Sequence, residues 1–173
     1  MAADKDSIKN ILIVSMTVCL VCAIVVSGSA VSLKPQREAN KAADRSKNIL
    51  IAAGLFEENK TSVSEVDELF SQFTIRLVDM DENRLLSAEE AKAQGIDLSS
   101  YDQRKASKDP KLSRELSSAE DIASISRRAR YSVAYMLIKD GEIDRIVLPI
   151  HGYGLWSTMY GFIALEQDLN TVA

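Results

Sequence analysis

The run ILIVSMTVCLVCAIVVSGSAVSL, residues 11–33, separates an N-terminal tail (residues 1–10) from the rest of this 173-residue chain. It contains 23 residues and no charged side chain. A helix of that length spans roughly 34 Å, at about 1.5 Å per residue, which is enough to cross a bilayer. Because backbone polar groups in hydrocarbon must pair with one another, we predict a single transmembrane helix.

A cleaved signal peptide is the rival interpretation of this run. Small residues at positions 27–30 resemble a cleavage site, and Lys5 and Lys9 precede the apolar residues. The run is longer than the roughly 7–15 apolar residues of a signal sequence. Retention in the bilayer is therefore the favoured interpretation.

Charge restricts both the orientation of the helix and the class of partner. Five basic residues lie between positions 34 and 47, against two before the helix. Taken alone, this excess predicts that the following domain lies in the cytoplasm. The whole chain has a net charge of −4, with 21 basic and 25 acidic residues well mixed, which argues against a nucleic-acid partner.

The two cysteines of the chain, Cys19 and Cys22, form a C-x-x-C inside the apolar run. Three residues apart on a helix, they share one face, so a metal or redox role has to be weighed. A metal would need further ligands, and the single histidine, His151, is distant in sequence. We predict no metal site and interpret the cysteines as small side chains at a helix–helix contact.

Beyond the membrane the sequence predicts an α+β domain with a mostly antiparallel sheet and flanking helices. Residues 34–54 form a helical stalk that ends at Gly54, and residues 55–128 form a helix-rich part. The predicted elements of that part are helices over residues 62–73, after Ser87 and over 117–128, each with Ser and Glu at capping-box spacing, and a strand over 74–80.

The last part, residues 129–173, carries the strongest strand pattern. YSVAYMLIK (131–139) and DRIVLPI (144–150) flank the turn Asp140–Gly141, which predicts a β-hairpin. YGFIALE (160–166) follows as a third strand of the same sheet. A basic cluster of Arg127, Arg128 and Arg130 precedes the hairpin; it suits a phosphate or an acidic partner, although a solvated helix end is the favoured interpretation.

Between two of these strands lies HGYGLWS, residues 151–157, with two glycines and the only tryptophan. Its glycines begin like G-x-G-x-x-G, but Ser occupies position 157 and no helix follows, which argues against a dinucleotide fold. A turn with a buried Trp and a site for a flat ligand both remain open. With one histidine and neither G-x-S-x-G nor H-E-x-x-H, we predict no catalytic residue and no hydrolase.

Several strings, in order, carry a resemblance to a known family. They are DSIKNILIVSMTVCLVCAIVVSGSAV (6–31), RLVDMDENR (76–84), SYDQRKASKDP (100–110), RRAR (127–130) and LPIHGYGLWSTMYGFIALEQDLNTV (148–172). Together they resemble the C subunit of the bacterial sodium-translocating NADH:quinone reductase over essentially the whole chain. HGYGLWS resembles the start of the FMN-binding domain that this family shares with the G subunit of the Rnf electron-transport complex.

The resemblance implies a component of a sodium-pumping oxidoreductase that relays electrons toward quinone, with other membrane subunits and the lipid bilayer as partners. It implies a domain on the periplasmic face of the inner membrane, against the charge rule. It also implies FMN bound through a phosphoester to a threonine, with Gly152, Gly154, Leu155, Trp156 and Ser157 near the cofactor. His151 either touches the pocket or only closes the turn.

The chain departs from the family pattern at the flavin attachment motif. In the family, the threonine follows a Ser-Gly-Ala string, and none of the threonines in this chain does so. The chain is therefore expected to be truncated before the attachment site and inactive alone. The alternative function is a non-catalytic membrane anchor or assembly module that docks other subunits of the complex.

Overall fold

The computed structural model describes residues 8–57, 62–98 and 100–173. The described residues fall into two compact units, one up to Asp44 and one from Arg45 onward. The elements, in chain order, are α1 (Ile8–Ser32), α2 (Lys34–Ala52), α3 (Val63–Ser71), β1 (Phe73–Asp79), β2 (Arg84–Leu86), α4 (Ala88–Ala93), α5 (Gln103–Ala106), β3 (Ser113–Glu115), β4 (Arg127–Ala129), β5 (Tyr131–Lys139), β6 (Glu142–Tyr153) and β7 (Thr158–Glu166).

In the first unit, α1 is the predicted apolar helix. Among the residues that the structure describes, it alone is long and apolar enough to cross a membrane. None of its side chains is buried against protein. The Thr17 hydroxyl donates to the Ile13 carbonyl at 2.7 Å and the Ser29 hydroxyl to the Val25 carbonyl at 2.8 Å. Hydroxyls that bond back to the helix in this way are compatible with an apolar environment.

The second unit is built on a five-stranded antiparallel sheet in the order β2-β1-β5-β6-β7. The predicted hairpin is confirmed, because β5 and β6 are joined at Asp140 and Gly141, with φ of 53° and 82°. Two consecutive positive φ values are typical of the type I′ turn, which matches the twist of the strands. The predicted third strand is also confirmed as β7, which pairs with β6.

One face of the sheet is covered by helices, and the core lies between them. Ile49 and Leu50, in the last turn of α2, and Ala53, just after it, are fully buried in the same cluster as Leu77 of β1 and Val147 of β6. The α2 helix stops as predicted at Gly54, which has a φ of 67°. The Leu55 amide donates to the Leu50 carbonyl and the Gly54 amide to the Ile51 carbonyl, the pairing of a Schellman motif.

The capping box before α4 is confirmed. The Glu90 amide donates to the Ser87 hydroxyl at 3.1 Å, and the Ser87 amide donates to the Glu90 carboxylate at 2.7 Å. Gly95, with a φ of 75°, follows the end of the helix as predicted. The helix predicted over residues 62–73 is present as α3, and the strand over 74–80 as β1.

The prediction of a helix over residues 117–128 is wrong. Ser117 and Glu120 do form a turn, but the Asp121 carboxylate then accepts the amides of Ile125 at 2.7 Å and Ser126 at 2.8 Å. Ser124 and Ser126 have positive φ values, and β4 begins at Arg127. Residues 55–128 hold three short helices together with β1, β2, β3 and the start of β4.

Candidate functional site: the β6–β7 arm

The end of the β6–β7 hairpin separates from the rest of the sheet. Strand β6 pairs with β5 only as far as Val147, opposite Tyr135. Beyond that pair, β6 continues to Tyr153 with β7 as its strand partner. We call residues 148–153 and 158–163 the arm, and residues 154–157 the arm loop. The predicted site residues lie in the arm loop and in the strand that leads to it.

The arm loop is a tight turn with an apolar tip. The Gly154 amide donates to the Ser157 carbonyl at 2.9 Å. A Cβ on Gly154 would lie 3.0 Å from the Met159 side chain, so the backbone approaches this neighbour closely. Leu155 and Trp156 project into solvent, with exposures of 87% and 90%. The interpretation of this turn as a buried tryptophan is therefore wrong, and the indole is available to a ligand or partner.

Gly152 lies on the arm itself, two residues before the arm loop. A Cβ at this position would be 3.6 Å from Ala123, which belongs to the segment 121–126. The next residue, Tyr153, donates its amide to the Ala123 carbonyl at 2.8 Å. The structure thus brings Gly154, Leu155, Trp156 and Ser157 together in one loop, and it places Gly152 against a different segment.

Next to the arm loop, three side chains form a stack, which we call the Arg104 stack. His151 and Tyr160 are opposite each other on the two strands, with ring centroids 5.6 Å apart and planes inclined by 17°. The guanidinium carbon of Arg104, from α5, lies 3.9 Å from the Tyr160 ring centroid. Arg104 and Tyr160 were not predicted as site residues, because the strand register and the position of α5 are long-range properties.

The Arg104 stack carries one positive charge. Burial, and to a smaller extent the charge of Arg104, lowers the pKa of His151 below its ordinary value, so the imidazole is neutral at pH 7. Among the described residues, no carboxylate forms an ion pair with the Arg104 guanidinium. Asp102 instead caps α5 and accepts the Arg104 and Lys105 amides.

The basic cluster 127–130 is bound by the chain's own polar groups. Arg130 donates to the buried Asp79 carboxylate at 2.8 Å and to Glu82 at 3.3 Å, while Arg127 contacts Ser113 and Glu115. The interpretation of this cluster as a solvated helix end is therefore wrong. The cluster joins β4 and β5 to the β1–β2 turn, and the Arg130 hydrogen bond lowers the pKa of Asp79 despite its burial.

A single apolar helix followed by an antiparallel sheet with flanking helices fits a single-pass membrane protein of the α+β class. No family model matches the chain. It is 45% identical, over 99% of its length, to the C subunit of the Na(+)-translocating NADH-quinone reductase of Pseudomonas aeruginosa, and 41% identical, over 100%, to that of Vibrio campbellii. Over its whole length, the chain is therefore similar to this C subunit.

Two solved structures are also similar to the chain. The crystal structure of Shewanella oneidensis NqrC is similar with a TM-score of 0.63 and 28% identity, over 78% of this chain and 57% of that one. The corresponding protein from Parabacteroides distasonis shares the fold, with a TM-score of 0.53 and 18% identity over 81% of this chain and 54% of that one. The chain spans 63–64% of the length of the Pseudomonas and Vibrio relatives.

Proposed function

We propose that this chain is part of a subunit of a sodium-pumping NADH:quinone oxidoreductase complex, and that the complete subunit holds covalent FMN and relays electrons toward quinone. The supporting observation is the 45% identity to a relative of that name over 99% of the chain. In this proposal residues 11–33 anchor the protein in the bacterial inner membrane, residues 34–54 form the stalk, and the domain lies on the periplasmic face beside other membrane subunits.

The arm loop has a surface that fits one part of a flavin. The isoalloxazine ring is flat, and flat rings pack favourably on exposed aromatic and aliphatic side chains such as Trp156 and Leu155. Gly154 and Gly152 keep the backbone close to its neighbours, and Ser157 offers a hydroxyl. We propose these five residues as the cofactor contacts in this chain. A bound flavin supplies the electron chemistry, and the protein orients it and tunes its surroundings.

The covalent bond is not assigned to a residue of this chain. Its five threonines are Thr17, Thr61, Thr74, Thr158 and Thr171, and none follows a Ser-Gly-Ala string. We therefore propose the attachment for the complete subunit only. The same departure favours the second candidate function, in which this part of the protein is a non-catalytic anchor or assembly module, and the exposed arm loop suits a docking role as well as a flavin contact.

Mass spectrometry of the complete subunit from its native host tests the proposal. The expected mass exceeds that of the polypeptide by FMN less one water, because a phosphoester forms with loss of water. The present chain, purified in detergent, should show no addition. A colourless complete subunit of unmodified mass that copurifies with other membrane subunits would instead establish the anchor function.

The arm loop contact is tested by flavin emission from the complete subunit. An indole stacked on a flavin quenches its fluorescence, so Trp156→Ala should increase the emission per bound FMN. Leu85→Ala is the control, since Leu85 is an exposed apolar side chain on β2, at the opposite edge of the sheet. Equal emission from the two variants would contradict a contact between the arm loop and the flavin.

A further inference from the structure

The arm needs support that its own strands do not provide. An isolated two-stranded hairpin is marginally stable in water. Past Val147 the arm has lost β5 as a neighbour, and its second strand, β7, is at the edge of the sheet. Its position relative to the sheet therefore depends on contacts with other segments. The structure provides two of these contacts, one from α5 and one from the segment 121–126.

The helix α5 fills the space where β6 leaves β5. The Val133 amide lies on the edge of β5 that faces away from β1, and it donates to the Gln103 side-chain oxygen at 3.1 Å. The Ser132 hydroxyl contacts the same oxygen at 3.4 Å. Gln103 thus satisfies a backbone donor that β6 no longer pairs, and α5 is fixed to the sheet.

The next residue of α5, Arg104, reaches the arm. Its guanidinium carbon lies over the Tyr160 ring, 3.9 Å from the centroid, and His151 stacks on the same tyrosine. A planar guanidinium stacks on an aromatic face, which a lysine ammonium does not do. With no carboxylate partner among the described residues, Arg104 is not drawn away from the ring.

We propose that Arg104 is a positioning residue that holds the arm, and with it the arm loop, against α5. The purpose of this positioning rests on the proposed function, in which the arm loop contacts the flavin, but the mechanical role does not. His151 and Tyr160 lie two residues from the ends of the arm, a distance of about 7 Å along a strand. Fixing that pair therefore fixes the arm loop.

The only tryptophan of the chain, Trp156, lies in the arm loop, so its fluorescence reports the motion of the arm alone. We would measure its time-resolved anisotropy in the full chain in detergent. In Arg104→Gln, the amplitude of the fast nanosecond component should rise about two- to fivefold, the change expected when a cation–π contact is lost. Arg84→Gln is the matched control, because Arg84 lies on β2, at the opposite edge of the sheet.

Tyr160→Leu also removes the stacking with His151, so its rise should be at least as large as that of Arg104→Gln. The double variant should show no further rise than Tyr160→Leu, because the contact with the guanidinium is already lost. Additive effects, or anisotropy in Arg104→Gln equal to that of Arg84→Gln, would overturn the proposal. The complete subunit separates this result from the proposed function. A complete subunit without flavin refutes the flavin proposal and leaves the Trp156 result unaffected, whereas flavin present with unchanged Trp156 motion refutes only the role of Arg104.

Discussion

Asp79→Asn should destabilise the domain more than any surface substitution. Asp79 is fully buried at the end of β1, where its carboxylate closes the β1–β2 turn. It accepts the amides of Asp81 at 2.9 Å and Glu82 at 3.2 Å, and it receives the Arg130 guanidinium at 2.8 Å. An asparagine keeps one oxygen for the turn amides but loses the charge-assisted hydrogen bonds to Arg130.

The loss in the free energy of unfolding depends on which interactions Arg130 keeps in the variant. Hydrogen bonds to charged groups contribute about 1.5–3 kcal/mol, and breaking a fully buried ion pair costs about 3–5 kcal/mol. The larger range does not apply, because the Arg130 side chain is 38% exposed and keeps Glu82 and Asp81 as neighbours. We therefore expect a loss of about 2 kcal/mol in the free energy of unfolding at pH 7.

The pH dependence gives an independent check. The pKa of Asp79 is lowered, chiefly by its hydrogen bond to Arg130. Its folded pKa is thus below the unfolded value of about 3.9, so its contribution is present above that pH and is lost as the pH falls below it. Other carboxylates share this trend, but only Asp79 differs between the two proteins. The gap between wild type and Asp79→Asn should therefore narrow at pH 3.

Urea unfolding of the full chain in detergent, followed by far-ultraviolet circular dichroism at pH 7 and pH 3, measures both effects. Asp140→Asn is the matched control, since Asp140 is exposed in a turn with a φ of 53°, a conformation that Asn also adopts readily. It should change the free energy of unfolding by less than about 0.5 kcal/mol. Equal midpoints for the two variants, or a gap that does not narrow at pH 3, would refute this account of Asp79.

Three further predictions concern the core, the arm and the anchor. Leu77→Ala leaves a cavity at a side chain that is 1% exposed, and it should lower the free energy of unfolding, measured in urea, by about 2–5 kcal/mol. A loss below about 1 kcal/mol would contradict the close packing of Leu77. In Arg104→Gln, NMR titration should show the pKa of His151 rising toward its ordinary value, because a nearby positive charge is gone. Cys19 and Cys22 should resist an impermeant maleimide in sealed vesicles and react after detergent is added.

Features set by short-range patterns could be predicted from the sequence. The β5–β6 hairpin follows from alternating side chains around Asp140–Gly141, because only a few residues tolerate two positive φ values. The α1 helix follows from an uncharged run, and the end of α2 from Gly54. In each case the deciding interaction joins residues close in sequence, so no knowledge of the fold is required.

The segment 117–128 shows where such patterns fail. A capping box only starts a helix; a helix of this length persists when it buries an apolar face. Ile122 is 94% exposed, so the segment has little to bury. Four serines and Asp121 compete for backbone amides, and the Asp121 carboxylate takes those of Ile125 and Ser126. Ser117 and Glu120 do form the predicted turn. The turn does not extend into a helix, because the segment has no apolar face to pack against the rest of the domain.

The site depends on long-range geometry in the same way. Period-two alternation gives the strands of the arm, but only the register places His151 opposite Tyr160, and only the packing of α5 adds Arg104. The stability of the fold does not require a tryptophan at position 156. Its indole stays 90% exposed, so it contributes almost no hydrophobic stabilisation when the chain folds. Covering it would remove a large apolar surface from water, a gain of about 25 cal/mol per Å². That gain is available only on binding. In the proposed function the ligand is a flavin ring, and in the alternative function it is another protein. In both cases a rigid arm increases the gain, because less entropy is lost on binding.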